Sequence, residues 1–520
     1  MRFLSGCNRS RILNSNLRRF TVVFNRSFAK SGGQGNYKPY SDIPGPKGIF
    51  GIGSFYNYFS FIGKYSWDEL HLSGIKKYQQ YGPIVKERLY PGVDLLFLFD
   101  PDDIATLLND KNSKDYPQRK SHLALAKYRN ERPHIYRSAG LLPTNGPEWW
   151  RLRSEFQKGL SSPKHVRSFL PDVDVVTNDF VDNLKTDCIV DLLPEISRLN
   201  LELTCLLAFD ERMNSFSPEE RRPNSRSSRL MRAAKTANGC ILPTDQGFLW
   251  RFFETPTYKK LKKSLEYIES LAVDFVSQKL NYYKEEIESP ENPQSRQRCS
   301  ILEEYLRNPN LDLSDIVGMA ADLLMAGVDT TSFSSCFAIY HLAKNPEVQE
   351  KLYEEACRVL PDHDDSITTE ILNSKVPYTR AVLKEALRIN PISVGVGRIL
   401  SSDTVFSGYL VPKGTIIVTQ NMVACRLEKN FEDSFKFIPE RWIERGKVNP
   451  HLLLPFGHGM RSCIARRLAE QNMLVFLLRI IRKYSIEWSG VEELGVKTYL
   501  INNPDNPVHV TLHRRPHNRH

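Results

Sequence analysis

Through most of the middle and C-terminal half of the chain, apolar positions recur every three to four residues, the spacing that gathers them on one face of a helix. Strict alternation is confined to short runs, VDLLFLFD at residues 93–100 and VHVTL at 508–512, which predict strands of small sheets. The pattern therefore predicts a mainly α protein with small β-sheets, in the α+β class. The clearest helix begins near Ser314 and runs to Asn345-Pro346, where the proline stops it. It is apolar nearly all round, which predicts a central, buried position.

Inside that helix sits Ala326-Gly327-Val328-Asp329-Thr330-Thr331, which is poor helix material. A mid-helix glycine costs about 1 kcal/mol relative to alanine, and threonine and aspartate cost several tenths more. Gly327 would admit close approach to the backbone, and a Thr330 hydroxyl bonding back to the preceding turn would loosen the ladder and leave a polar notch. A satisfied polar patch in helix packing accounts for the hexapeptide equally well. A second helix is predicted over 376–390, with Pro377 suited to its first turn and Glu385 and Arg388 on one face. Alone, such a pair is an ordinary surface salt bridge; Arg441, in FIPERW at 437–442, would make it a three-member network.

Two prolines in IPGPKG stiffen the chain at 43–48, so residues 37–48 read as a hinge before a body at 49–520. Polar stretches at 217–229 and 288–300 read as surface loops. No internal repeat is evident, and length alone leaves open whether the body is several small domains or one large one.

Composition is ordinary for a globular protein, with 41% hydrophobic and 25% charged residues in 520. The net charge of +11 changes the picture only through its location. No acid precedes Asp42, and Arg2, Arg9, Arg11, Arg18, Arg19, Arg26, Lys30 and Lys38 leave the remainder at +3. A nucleic-acid footprint is therefore not supported. The leader, residues 1–36, is rich in Arg and Ser, lacks acid and has no unbroken apolar centre, which marks a mitochondrial presequence rather than a secretory signal. No run of 18 consecutive apolar residues occurs to predict a transmembrane helix.

Nine cysteines stand at irregular spacing with no CxxC pair, unlike a disulfide scaffold or a zinc site. Cys463 differs in its neighbours, PFGHGMRSCIARRLAE at 455–470. Structural zinc wants four protein ligands and an iron–sulfur cluster several cysteines, whereas haem needs one axial ligand. A glycine-bearing turn lets backbone pass close to a porphyrin, Arg461 supplies a cation for a propionate, and the following helix aims amide dipoles at the sulfur.

Phe456 to Cys463 resembles the cysteine loop of the cytochrome P450 haem-thiolate monooxygenases. The other segments agree in order: Ala326–Thr331 with the oxygen-binding helix, Glu385 and Arg388 with the ExxR pair, Arg441 with its third member, and Trp149 with Arg153 in EWWRLR with the WxxxR pair. The resemblance covers nearly everything after residue 43 and implies one domain over 49–520, with haem b between the long central helix and the cysteine-loop helix. It implies Cys463 as the axial thiolate, Trp149, Arg153, Arg398 and Arg461 at the propionates, and Asp329 with Thr330 as the pair that delivers protons when molecular oxygen, the co-substrate, is activated. Ala465 departs from the glycine usual two residues after the cysteine.

Arg380 and Lys384, with Arg466 and Arg467, resemble the basic sites by which mitochondrial members bind a ferredoxin, itself reduced by a ferredoxin reductase. The segment GFLWRFFETPTYKKLKK from 247 interleaves aromatic and basic residues, as peripheral contact with the matrix side of the inner membrane or a channel lid would. The stretches YPQRKSHLALAKYRNERPHIYR, GLLPTNGPEWWRLRSEFQKGLSSP and LRINPISVGVGRIL resemble the arthropod ecdysteroid-hydroxylating members, which implies hydroxylation of an ecdysteroid precursor at C22. Leu123, Leu125, Leu141, Leu324, Ile392 and Val394 are expected to line an apolar cavity for the steroid. Another mitochondrial sterol or secosteroid hydroxylase, a non-redox haem-thiolate isomerase and a haem-binding sensor are the alternatives.

Overall fold

The long helix forms as Leu313–Lys344, but it starts at Asp312 rather than Ser314. Asp312 and Asp315 make a reciprocal capping box, each carboxylate accepting the other's backbone N–H, which fixes the start two residues earlier than a serine cap would. Asn345 and Pro346 end it as expected. In this computed structural model, the residues described are 37–59, 61–90, 92–109, 116–247, 249–288, 299–443 and 448–516. The leader at 1–36 lies outside them.

The central helix packs against Leu192–Phe209, Arg226–Gln246 and Pro256–Glu288, and its buried side chains belong to the main hydrophobic core. It is long and apolar enough to cross a membrane, yet 78% of its apolar window is buried inside the protein, as befits a core helix. No loosened ladder appears at 326–331, where the helix is continuous. Thr330 Oγ1 donates to Ala326 O at 2.9 Å, and Ser332 and Ser334 bond back one turn in the same way, so each hydroxyl is satisfied without displacing the backbone ladder. Gly327 serves helix packing: a Cβ there would meet Thr204 Oγ1 at 2.8 Å on the neighbouring helix.

The two alternating runs form strands Val93–Leu98 and His509–Arg514. Val93–Leu98 lies in a four-stranded sheet, antiparallel to Ile84–Tyr90 and parallel to Ile416–Thr419, with Gly397–Ile399 antiparallel at the edge. His509–Arg514 is the middle of a second sheet, between Ile189–Asp191 and Tyr484–Trp488. Of the stretch at 217–229, the last residues are helical, because Ser225 caps the helix that starts at Arg226. Most of the stretch at 288–300 lies outside the described residues; Ser300 closes it with a capping box on Ile301–Leu306.

Helix Leu123–Asn130 has no cap of its own, since His122 before it is left-handed at φ 59°. The Asp245 carboxylate, from the end of Arg226–Gln246, accepts the N–H groups of Leu123 and Ala124 at 3.0 Å and so caps it from another element.

Candidate active site

The cysteine loop turns through Gly457 and Gly459, at φ 71° and 68°, and closes where Cys463 N donates to Phe456 O at 2.8 Å. Positive φ at two residues explains why glycine stands at both. Helix Arg466–Lys483 follows directly, with Ala465 in the N-cap position. Cys463 has free surface although protein surrounds it on nearly every side, so its thiol faces inward. Burial pushes the thiol up; the Ala465 N–H and the Arg153 and Arg466 charges pull the other way. The eight described cysteines are free thiols.

Next to the loop, four guanidinium groups converge from four parts of the chain. Arg153, one turn after Trp149 on Gly146–Ser161, donates to Ser462 O at 2.8 Å. Arg461 donates to Pro117 O, Thr144 O and Asn145 Oδ1, and its guanidinium lies 4.1 Å over the Trp149 ring. Arg398, on the edge strand, donates to His458 O. Arg119 is the member that sequence inspection missed. Its neighbour Gln118 bridges to Ile399, which sets Arg119 beside Arg398; no local pattern announces a contact made across the fold.

Burial lowers the pKa of all four, Arg119 and Arg398 to about 10, Arg461 to about 9 and Arg153 below its usual range, and repulsion from neighbouring guanidinium groups adds to it at Arg119, Arg398 and Arg461. Arg153 Nε and Arg461 Nη1 are buried without a hydrogen-bond partner. Asp322 is the carboxylate that acts on Arg119, and it already pairs with Arg129 at 2.7 Å. A cluster of cations with unpaired donors calls for a multivalent anion within reach of an inward-facing thiol. The two propionates and iron of a haem have that chemistry, so the residues fit the group.

Thr330 and Asp329 stand on the central helix, Leu313–Lys344. Asp329 is buried and accepts from Asn238 Nδ2 at 2.9 Å; burial lifts its carboxyl to about 6 against that hydrogen bond and the Lys235 charge. The six expected lining residues lie within the main core or pack against it.

Behind the loop, Glu385 and Arg388 on Pro377–Ile389 form a fully buried bidentate pair, with N–O distances of 2.9 and 2.8 Å. Arg441 joins at 3.0 Å, as expected, and Trp442 Nε1 and Ile438 N, which were not anticipated, donate to the same carboxylate. Arg388 spends its remaining donors on the carbonyls of Cys425, Ser434 and Lys436. Lys384 is exposed, with its ammonium 5.9 Å from the centre of the Trp442 ring. Arg380 is not turned fully outward: it is half-buried, with its guanidinium donating to Leu372 O. Arg466 and Arg467 are exposed, the first paired with Glu470 and the second donating to Ser161 O.

Comparison with known proteins agrees with this geometry. The model of the family described as cytochrome P450 matches residues 44–508, and the chain belongs to that family, the haem-thiolate monooxygenases that use molecular oxygen. Among its relatives is cytochrome P450 302a1, mitochondrial, of Drosophila melanogaster, 56% identical over 484 residues that cover 92% of this chain and 96% of the relative. Ecdysone 20-monooxygenase of the same fly is 29% identical over 491 residues, 91% and 88% of the two chains. Cytochrome P450 12b1, mitochondrial, of Drosophila acanthoptera is 31% identical over 494 residues, 90% and 88%.

Proposed function

We propose that the chain is a mitochondrial steroid hydroxylase that inserts oxygen at C22 of an ecdysteroid precursor. The observation that carries this is the 56% identity, along nearly the whole of both chains, to cytochrome P450 302a1, mitochondrial, the enzyme Disembodied, which the three stretches in the sequence resemble. Residues 1–36 act as the presequence and 49–520 as the monooxygenase domain.

Cys463 holds the haem iron, and Arg119, Arg153, Arg398 and Arg461 hold the propionates, with Trp149 as the platform under Arg461. Haem held by the cysteine thiolate would supply activation of dioxygen for insertion into an unactivated C–H bond. The chain supplies position and proton control. Glu385, Arg388 and Arg441 fix the ExxR helix against the loop after Cys425, while Asp329 and Thr330 move protons to the oxygen site. Leu123, Leu125, Leu141, Leu324, Ile392 and Val394 exclude water around the steroid.

Electrons come from an acidic ferredoxin, recharged by its reductase, that docks on exposed Lys384, Arg466 and Arg467 beside half-buried Arg380. Exposed Leu249, Phe252 and Phe253 support peripheral attachment to the matrix face of the inner membrane. Reconstitution with ferredoxin, its reductase and a panel of sterols, read by product mass and position of the new hydroxyl, tests the assignment. A 22-hydroxylated ecdysteroid precursor is the expected product. Hydroxylation only at another carbon, or only of other sterols, would move the enzyme to a different steroid branch, and turnover without oxygen insertion would place it among the isomerases.

A further inference from the structure

Asp329 meets helix Arg226–Gln246, two of whose residues act on its carboxylate. Asn238 is buried, and its amide bridges Asp329 Oδ2 at 2.9 Å and Met325 O at 3.1 Å. Lys235, nearly one turn earlier, is exposed and its charge acts on the same carboxylate. Asp329, Asn238 and Lys235 line a small cleft whose far wall is Tyr499, Ile501 and Asn503. Asn503 Oδ1 is buried in that region without a hydrogen-bond partner.

An amide that spends its donor on both a carboxylate and the carbonyl one turn before it fixes the carboxylate's rotamer. A buried acceptor with no donor beside a cleft roughly one water wide is where a bridging water belongs. The cleft thus joins an exposed lysine to a buried acid along the edge of the apolar core, where Phe333, Leu500 and Ile501 share its lining. We propose that Asn238 is a positioning residue that aims Asp329 at this cleft, and that the cleft, with Asn503 Oδ1 as its inner water site and Lys235 at its mouth, admits protons from solvent to the oxygen site.

This rests on Asp329 and Thr330 acting in proton delivery. In each pass Asp329 takes one proton from the cleft water, which is reprotonated from solvent, and becomes a carboxylate again on releasing that proton inward, so charge and atoms balance. Lys235 is the cation and Tyr499 the titratable group that face the cleft from the two packed elements. The mechanism so far described has no use for Asn238 or Asn503.

The test uses haem-loaded protein with Asn238→Leu, the smaller Asn238→Ala, and Asn503→Leu, beside Asp329→Asn. Infrared titration follows the carbonyl band of protonated Asp329, identified by its loss in Asp329→Asn. Losing the Asn238 donor should carry the midpoint upward by about one pH unit, because a hydrogen bond to the charged form is gone. Asn238→Leu and Asn503→Leu should also raise the peroxide share of consumed electrons several-fold, with the sterol-induced spectral shift retained. An unmoved midpoint in both Asn238 variants, or full coupling in Asn503→Leu while Asp329→Asn uncouples, would overturn the proposal alone. Full coupling in Asp329→Asn would instead sink the relay on which it rests, and the infrared midpoint would still report whether Asn238 governs Asp329.

Discussion

Glu385 shows how much one residue can organise. Its carboxylate accepts from Arg388, Arg441, Trp442 and the Ile438 N–H while fully excluded from water. Glu385→Ala would leave Arg388 buried beside its carbonyls with no counter-charge, at a cost of about 3–5 kcal/mol. We expect little folded, haem-loaded protein from that variant, measured as yield of holoprotein and unfolding midpoint. Trp442→Phe, which removes one neutral donor, should cost about 1–3 kcal/mol and leave the haem spectrum intact. The three ionic members were legible because charge and spacing sit in the sequence; Trp442 stood in the same hexapeptide, but nothing in its neighbours says where an indole N–H points. Cys463 was singled out for a different reason, since too few ligands stand near it for structural zinc or an iron–sulfur cluster, whereas haem needs one. Cys463→Ala should abolish the red-shifted Soret band of the reduced carbon monoxide form, with far-ultraviolet circular dichroism checking that the chain still folds. Retention of that band would remove Cys463 as the ligand.

At the scale of elements, the central helix was legible in extent and the reason for its glycine was not. Periodicity locates a buried helix but not its neighbour, and Gly327 answers to Thr204, more than a hundred residues earlier in the chain. Alanine at 327 would gain about 1 kcal/mol of helix propensity, yet its Cβ would press on Thr204 Oγ1. The two substitutions should therefore couple: Gly327→Ala destabilises beside Thr204 by about 1–3 kcal/mol and stabilises in a Thr204→Ala background. Denaturant unfolding of the four members of the cycle reads this directly, and additivity would refute the contact. The ExxR helix carries a second prediction. Glu385 is fully buried and its neighbour Lys384 exposed, so Lys384→Glu should weaken ferredoxin binding and turnover while the haem spectrum and sterol affinity hold. Rising ionic strength should mimic the loss, since exposed charges are screened over about 8 Å at physiological salt. Full ferredoxin-driven turnover by Lys384→Glu at low salt would put the docking face elsewhere.

For the molecule as a whole, the architecture was legible through the family resemblance that four motifs in order along the chain carried, and the family match over residues 44–508 agrees with it. The pairing of the small sheets was not legible, since runs of three or four residues carry too little pattern to choose partners. Arg119 escaped for that reason: its place depends on Gln118 meeting Ile399 at the sheet edge. The convergence of Arg119, Arg153, Arg398 and Arg461 has a consequence for the life of the protein in its compartment. Like charges held together resist being brought together, so the chain without its prosthetic group works against its own native packing. Occupancy reverses the sign, and a ligand present at a thousand times its dissociation constant adds about 4 kcal/mol to stability. A small dicarboxylate such as succinate should raise the unfolding midpoint of the unloaded chain more than an equal charge of acetate, and leave the loaded enzyme unmoved; equal effects would deny the cluster this part. Turnover by proteases follows the population of open chains, so a steroid-producing cell short of porphyrin would lose the polypeptide itself and not merely leave it idle. If the four arginines hold the propionates as proposed, the enzyme's abundance would itself read out haem supply.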